Sequence, residues 1–280
     1  LDDVDAVANA VGPCAEYEKP VLLTCAGSKR PTASIGDGPL FGADRREIHD
    51  AFRRAGTLAV SGCGMLPGWT DLLAAHFLAA PSRGARPAKT RQPAGAKETG
   101  GTEGEAARFL FFSPARFGGY AFFRRVVREI GRPAVPPRCA PAGVYLEAGG
   151  GAAFGLPAGR PAGIWKALSG GMGSFGSVGR EMSAAFLFWL RRHLKTAEDL
   201  PAAAAGVIAA GENQGRFAMI IDRDGRLAGT LLAESVLRLV RGGTQEKGLL
   251  PLPEILGREE AEQIASACHA TITRSRPDLP

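Results

Sequence analysis

The chain has 280 residues, of which 45% are hydrophobic and 22% charged, the balance of an ordinary folded globular protein. Its longest apolar runs are far shorter than the roughly 20 residues of a membrane span, so we expect no membrane segment. Five cysteines without C-x-x-C spacing argue against a zinc site and favour reduced thiols, which predicts a cytoplasmic protein.

The first 80 residues alternate predicted strands with predicted helices. Apolar runs that end at turn residues predict strands over Asp5–Val11, Thr32–Ile35 and Thr57–Ser61. Helices are predicted between them, over Tyr17–Ala26 and from Asp44 to Ala55. Because nearly all of the strand residues are apolar, we expect one parallel sheet with helices on both faces.

A glycine-rich crossing, residues 62–68, joins the third predicted strand to a further helix. Glycines at the start of a helix allow backbone N–H groups to approach a ligand closely. In an open α/β sheet this position is the carboxyl edge of the strands, where ligands bind. The alternative is a tight crossing with a structural role only. In that case the negative charge of Asp71 does no more than interact favourably with the positive, N-terminal end of the helix.

Beyond residue 80 the pattern changes. Residues Pro81–Ala107 lack periodicity and are rich in Gly, Pro and charge, which predicts a mobile loop or insertion. The turn at residues 222–225 predicts a hairpin of Phe217–Ile221 with Leu227–Leu231. The other predicted elements are strands over Phe109–Phe112 and Gly143–Glu147 and helices over Gly118–Ile130, Arg180–Leu194, Glu234–Val240 and Glu259–Ala270.

Two features of the second half have ordinary structural interpretations. Seven of the 20 aromatic residues lie between Phe109 and Phe123, which favours a core or a subunit interface over a base-stacking surface. The arginines around the helix that follows are typical of a solvated face, although an anion-binding role is the alternative. We therefore expect no nucleic-acid partner.

Residues Gly171–Gly176 match the dinucleotide-binding pattern G-x-G-x-x-G. The context does not support that function, because no convincing strand precedes the pattern and no acidic residue follows about 20 positions later. We interpret the segment as a glycine-rich turn.

The first 80 residues also carry a series of motifs in a recognisable order. Asp-Val-Asp-Ala-Val-Ala-Asn-Ala-Val-Gly-Pro over residues 3–13 is followed by a helix with Val21 and Cys25, then by Gly36-Asp37 and by Gly64-Met-Leu-Pro-Gly68. A weaker match follows at residues 248–254, Gly-Leu-Leu-Pro-Leu-Pro-Glu. In this order and spacing the chain resembles the saccharopine dehydrogenase-like oxidoreductases.

The resemblance implies an α/β fold, the C-terminal half of a Rossmann-like parallel sheet with a second α+β domain. It implies NADP or NAD as cofactor. It also implies that Val11, Gly12 and Pro13 lie near the nicotinamide ribose, and that Gly64, Pro67 and Gly68 lie along the same edge. The expected organisation is a Rossmann-like part over 1–80, a flexible loop over 81–107, an α+β substrate or dimerisation domain over 108–245 and a returning segment over 246–280.

Two departures from the family pattern refine these expectations. Leu66 stands where members that form saccharopine carry an Asp, which implies a different substrate. The family's G-x-G-x-x-G loop lies upstream of Val-Gly-Pro, so we expect that this chain is truncated and binds the cofactor weakly or not at all.

The sequence thus predicts hydride transfer between a nicotinamide cofactor and an amino or keto/hydroxy small-molecule substrate. Tyr17 and Asp37 are the candidate catalytic residues, because each lies near the predicted end of a strand. Lys29 and Arg30 are candidate substrate contacts, with ordinary surface charge as the alternative. A non-catalytic binding or dimerisation module is the rival hypothesis, and a homodimer is compatible with both.

Overall fold

The computed structural model describes residues 1, 3–12, 14–36, 42–78, 107–113, 119–129, 143–147, 152–155, 176–190, 201–209, 216–242 and 245–274. The predicted loop Pro81–Ala107 lies outside these ranges except for Ala107, which begins a strand. The glycine turn Gly171–Gly176 also lies outside them, except for Gly176.

The described part of the chain contains ten strands and seven α-helices. In chain order the strands are β1 (Val7–Asn9), β2 (Thr32–Ser34), β3 (Leu58–Ser61), β4 (Ala107–Ser113), β5 (Gly143–Glu147), β6 (Ala152–Gly155), β7 (Ala203–Ala209), β8 (Arg216–Asp222), β9 (Gly248–Pro251) and β10 (Thr271–Arg274). The helices are α1 (Cys14–Gly27), α2 (Gly42–Arg54), α3 (Trp69–Leu72), α4 (Tyr120–Glu129), α5 (Ser177–Leu190), α6 (Leu227–Val240) and α7 (Arg258–Ala267). A π-helical segment, Leu73–Leu78, continues α3, and a 3-10 turn, Leu252–Glu254, follows β9.

The first sheet is parallel, in the order β1-β2-β3-β9. β1 pairs with β2 and β2 with β3 in parallel register, which confirms that the three predicted strands share one sheet. β9 pairs with β3, also in parallel, and so brings residues 248–251 back to the first part of the chain. The chain is therefore an α/β protein.

The second sheet is antiparallel, in the order β10-β8-β7-β4-β5-β6. The predicted strands at 109–112 and 143–147 are confirmed as β4 and β5. β10 pairs with β8, so the C-terminal segment contributes one strand to each sheet.

The predicted hairpin at residues 217–231 is wrong in its second half. Residues 227–231 begin the helix α6, because buried Asp222 accepts hydrogen bonds from four successive backbone N–H groups, those of residues 224–227, at 2.9–3.3 Å. A carboxylate that binds these N–H groups ends a strand and starts a helix. The helical spacing of buried Leu227, Leu231 and Leu239 is the signal that the hairpin interpretation missed.

Both faces of the parallel sheet are covered. α1 and α2 pack on one face through Leu22, Phe52 and Ala59. On the other face α6, α3 and the π-helical segment form a layer between the two sheets, and the core there joins Val60 of β3 to Ile220 of β8. One continuous core therefore connects the parallel and the antiparallel sheet.

Helices α4 and α5 pack against each other beside this core. Arg124 of α4 forms ion pairs with Glu181 of α5 at 2.7 Å and with Glu16 of α1 at 2.8 Å. The helix pair is thereby tied to the first turn of α1. None of the described helices is long and apolar enough to cross a membrane.

Candidate functional site at the carboxyl edge of the parallel sheet

The carboxyl ends of β1, β2, β3 and β9 meet at one edge because the four strands are parallel. The segments that leave this edge include residues 10–12, 35–36 and 62–68 and the turn Leu252–Glu254. Open parallel sheets bind their ligands at this edge, so the described side chains here are the candidates for function.

A buried polar network occupies the edge between β1 and β2. Asn9 Nδ2 donates to Ser34 Oγ at 3.1 Å, and Ser34 Oγ donates to Glu18 Oε1 at 2.7 Å. The amide oxygen of Asn9 accepts a hydrogen bond from the backbone N–H of Val11 at 3.2 Å. All three side chains of the network are almost fully buried. Burial of a carboxylate costs free energy unless the group is hydrogen-bonded. The hydrogen bonds of this network therefore compensate for the burial of Glu18 and fix the three side chains in place at the edge.

Glu18 lies close to the backbone that follows β2. A Cβ added to Gly36 would lie 3.0 Å from Glu18 Oε1 and 3.5 Å from the backbone nitrogen of Gly62. The φ of Gly36 is +43°, a left-handed conformation that favours glycine. The carboxylate therefore lies where the segments after β2 and β3 approach each other.

Sequence reasoning did not identify Glu18 as a site residue, although it names the neighbouring Tyr17. The signal that could have found it is helical periodicity, since Cys14, Glu18, Leu22 and Cys25 are all buried at spacings of four, four and three. A carboxylate on the buried stripe of a helix is rare and points to a specific partner.

The glycine-rich crossing forms a tight turn in which backbone atoms of the crossing lie close to each other. A Cβ on Gly68 would lie 2.1 Å from the backbone oxygen of Gly64 and 2.4 Å from that of Gly62. The backbone N–H of Trp69 donates to the Gly64 oxygen at 3.0 Å. The tight turn alone accounts for Gly68, whereas a Cβ on Gly64 would lie 2.9 Å from the backbone oxygen of Ile35, in the segment after β2. The cofactor-binding role of both glycines, with that of half-buried Pro67, stays a prediction.

A second charged group lies at the same edge, where α2 and α3 begin and β9 ends. Burial raises the pKa of Asp71 to about 6, against the opposing effect of the Arg45 guanidinium. The pKa of Arg45 is lowered by burial, against the opposing effects of Glu254 and Asp71. A carboxyl group with a pKa near neutrality can both take up and release a proton at physiological pH.

Two buried polar atoms next to Asp71 have no hydrogen-bond partner among the residues that the structure describes. They are Trp69 Nε1 and Thr70 Oγ1, both in the first turn of α3. Buried polar atoms without partners are uncommon in native proteins and concentrate where strain, water or a functional group explains them. The start of α3 therefore has the properties expected of a functional position.

The remaining predicted residues divide between the two edges of the sheet. Val11 and Gly12 follow β1 at the carboxyl edge, where Tyr17 lies in the first turn of α1, and all three are exposed. Lys29 and Arg30 lie at the opposite, amino edge, where the backbone N–H of Val7 bonds to the oxygen of the next residue, 31. The structure does not bring these two cations together with the other candidates. Pro13 and Asp37 lie outside the described residues.

Thiol and metal chemistry find little support at this edge. Burial raises the pKa of Cys63 to about 12, so this thiol is protonated and weakly nucleophilic at neutral pH. Within the described ranges, no group of three or more His, Cys, Asp and Glu side chains is arranged to hold a metal ion.

A scan against protein-family models and a search of the curated proteins find no match for this chain. The family resemblance therefore rests on the motifs of the sequence and stays a hypothesis.

Proposed function

We propose that this chain is a saccharopine dehydrogenase-like oxidoreductase that uses NADP or NAD and acts on an amino or keto/hydroxy substrate other than saccharopine. The observation that supports the proposal most is the carboxyl edge itself. It combines the ends of adjacent parallel strands with buried hydrogen-bonded Glu18 and with Asp71, whose pKa burial raises to about 6.

The described residues suit one half of a dinucleotide better than the other. Buried Glu18 and Ser34 bond each other and so hold the segments after β1 and β2 in place beneath the edge, where a ribose or a carboxamide group would meet neutral backbone. A phosphate is disfavoured at the first turn of α1, because Glu16 lies there and like charges repel. We therefore assign this edge to the nicotinamide and ribose end of the cofactor.

A bound nicotinamide supplies the hydride chemistry, and the protein binds, orients and exchanges protons. Exposed Val11 and Gly12 offer an apolar side chain and a backbone without side-chain cover beside the strand ends. We assign proton transfer to the Asp71 carboxylate, with Tyr17 as the alternative proton donor at the same edge.

Saturation-transfer NMR of the 280-residue chain with NADPH and NADH tests the proposal. We expect weak binding, with transfer strongest to the nicotinamide and its ribose protons. Val11→Glu should weaken binding about fivefold, because it adds a negative charge beside an anionic ligand, an effect of about 1 kcal/mol. Val11 is exposed, so the variant should fold normally.

Lys29→Gln is the matched control, since it changes the net charge by the same one unit at the amino edge. It should leave cofactor binding unchanged. Transfer to the adenine alone, or an equal loss of binding in both variants, would contradict the assignment.

The rival hypothesis is a non-catalytic binding or dimerisation module. The crossing favours it, because Gly68 is explained by contacts within its own turn and Gly64 by its close approach to the backbone oxygen of Ile35. The absence of any nicotinamide signal in wild type, with normal folding by circular dichroism, would support this second candidate.

A further inference from the structure

The buried polar network of Glu18, Ser34 and Asn9 ends at an exposed residue. Glu18 accepts from the Ser34 hydroxyl at 2.7 Å, and the hydroxyl oxygen accepts from Asn9 Nδ2 at 3.1 Å. The other amide atom, Asn9 Oδ1, accepts from the backbone N–H of Val11 at 3.2 Å. The three side chains of the network are at most 2% exposed, whereas Val11 is 49% exposed. The network therefore connects the buried face of α1 to the open carboxyl edge of the sheet.

The hydrogen bonds of the network allow only one orientation of the Asn9 amide. Ser34 has one hydroxyl proton and donates it to Glu18, so its oxygen can only accept from Asn9. Asn9 must then turn Nδ2 to the hydroxyl and Oδ1 to Val11. The reversed amide would place its Nδ2 donor against the N–H donor of Val11. Glu18 thus determines the acceptor that Val11 meets, through the hydroxyl that lies between them.

The backbone of Val11 is held at both of its polar groups. Its N–H is bonded to Asn9, and its carbonyl oxygen accepts from the Sγ of buried Cys14 at 3.5 Å. These two bonds fix the peptide units on both sides of the residue, and with them the direction of its side chain. An apolar side chain that is exposed and held in one direction is prepared for a contact before the ligand arrives.

The approach to Val11 is open. Residues 10, 11 and 12 are all exposed, and Gly12 has no side chain that could cover the valine. A flat ring can therefore lie against the valine methyl groups at the end of β1. A contact of this kind needs a supporting layer that locks the contacting residue, since a loosely held side chain loses much of its effect.

We propose that Glu18, Ser34 and Asn9 are positioning residues that hold the Val11 side chain against the nicotinamide ring of the bound cofactor. The inference rests on the proposed function, and it adds the groups that orient the contact. Because the three side chains are buried, they act through Val11. The hydrogen bonds give this role to residues of three different elements, α1, β2 and β1.

Hydrogen exchange of the Val11 amide, followed by NMR on the full chain without cofactor, tests the network. Ser34→Ala removes the middle link and should accelerate this exchange about tenfold, because an ordinary hydrogen bond loses its fixed acceptor. Ser34→Thr keeps a hydroxyl in a residue suited to a strand, so its exchange should match wild type. Asn9→Ala removes the acceptor itself and provides a second variant with the same expected result, in case Ser34→Ala fails to fold.

Titration of NADPH into the same samples tests the positioning. Ser34→Ala should raise the Kd about three- to tenfold, the scale of one lost hydrogen bond, because Val11 is no longer held toward the ring. Ser34→Thr should restore the wild-type Kd. A Kd that stays at the wild-type value while the Val11 amide exchanges faster would show that the network is structural only, and would overturn the inference.

Ser235→Ala is the matched control. Ser235 is also a fully buried serine, and its hydroxyl donates to a backbone oxygen of its own helix, that of Leu231, at 2.7 Å. Its loss should change neither the Val11 exchange nor the Kd. Equal changes in Ser34→Ala and Ser235→Ala would indicate general loosening of the core and would also overturn the inference.

The outcomes separate the positioning role from the proposed function. A wild type that binds neither NADPH nor NADH contradicts the proposed function, and the inference falls with it. Binding by wild type that Ser34→Ala leaves unchanged contradicts the positioning role alone. Exchange of the Val11 amide at the wild-type rate in Ser34→Ala contradicts that role whatever the cofactor does.

Discussion

Asp71 shows how one residue acquires properties that its position in the sequence does not reveal. Its place in the first turn of a helix suggests only a favourable interaction with the helix dipole. In the folded chain it is half-buried near Arg45, and burial outweighs the attraction of the guanidinium. The carboxyl therefore resists ionisation at pH values where a solvated Asp is fully charged.

The raised pKa of Asp71 predicts a pH-dependent cost in stability. The folded-state pKa of about 6 lies above the ordinary value of 3.8, so the folded protein holds this proton more tightly than the unfolded chain. The contribution of Asp71 to the free energy of unfolding therefore falls as the pH rises from about 4 to about 6, and it stays at its lowest value above that range. Asp71→Asn should therefore stabilise the protein at pH 8 by about 1–2 kcal/mol, discounted for partial exposure, and have little effect at pH 4.

Urea denaturation at the two pH values measures this difference. Asp50→Asn, which removes an exposed carboxylate of α2, is the control for the loss of one negative charge. An Asp71→Asn variant that is less stable than wild type at pH 8 would show that the Arg45 attraction outweighs burial.

At the scale of elements, two glycines illustrate the difference between a position where a side chain would collide with backbone and one where it would meet open space. The Gly62–Gly68 crossing depends on the missing side chain of Gly68, whose φ is +125° and whose Cβ would collide with two backbone oxygens. Gly68→Ala should lower the free energy of unfolding by roughly 3 kcal/mol or more, because the backbone must move to relieve both contacts.

Gly229→Ala is the matched substitution in α6, where an added Cβ meets nothing within 4 Å. It should stabilise the protein by about 0.5–1 kcal/mol through helix propensity. Chemical denaturation of both variants provides the comparison. Equal effects of the two substitutions would show that the crossing is looser than its contacts indicate.

Elements dominated by local patterns were the most predictable ones. The alternation of strands and helices in the first 80 residues and the helices α2, α4 and α7 follow from periodicity and end signals, and all of them are confirmed. The start of α6 was missed because the Asp-Arg-Asp-Gly turn is compatible with a hairpin and with a helix start. The hydrogen bonds of the buried Asp222 side chain decide between the two.

At the scale of the whole molecule, the two sheets share one core. Val60 of β3, Leu231 of α6 and Ile220 of β8 belong to the same buried cluster. The parallel and the antiparallel sheet should therefore unfold together, because unfolding of one sheet exposes the core residues that the other sheet packs against.

Ile220→Ala tests this cooperativity, with an expected loss of about 2–4 kcal/mol. The rate of thiol labelling, measured by mass spectrometry, should increase equally at two buried cysteines. Cys268 belongs to the same core cluster as Ile220, and Cys25 belongs to the separate cluster under α1 and α2. Phe217→Ala, at an exposed position of the same strand, should change neither rate. Acceleration at Cys268 alone would show that the sheets open independently.

The sequence by itself determined the alternating strands and helices of residues 1–80, their parallel arrangement and the glycine crossing, because these follow from local periodicity and from backbone conformation. Only the tertiary structure decided which side chains meet at the carboxyl edge. Glu18 and Ser34 are 16 residues apart, and Arg45, Asp71 and Glu254 belong to three different elements. Burial and charge at such positions depend on contacts distant in sequence, and a local pattern carries no record of them.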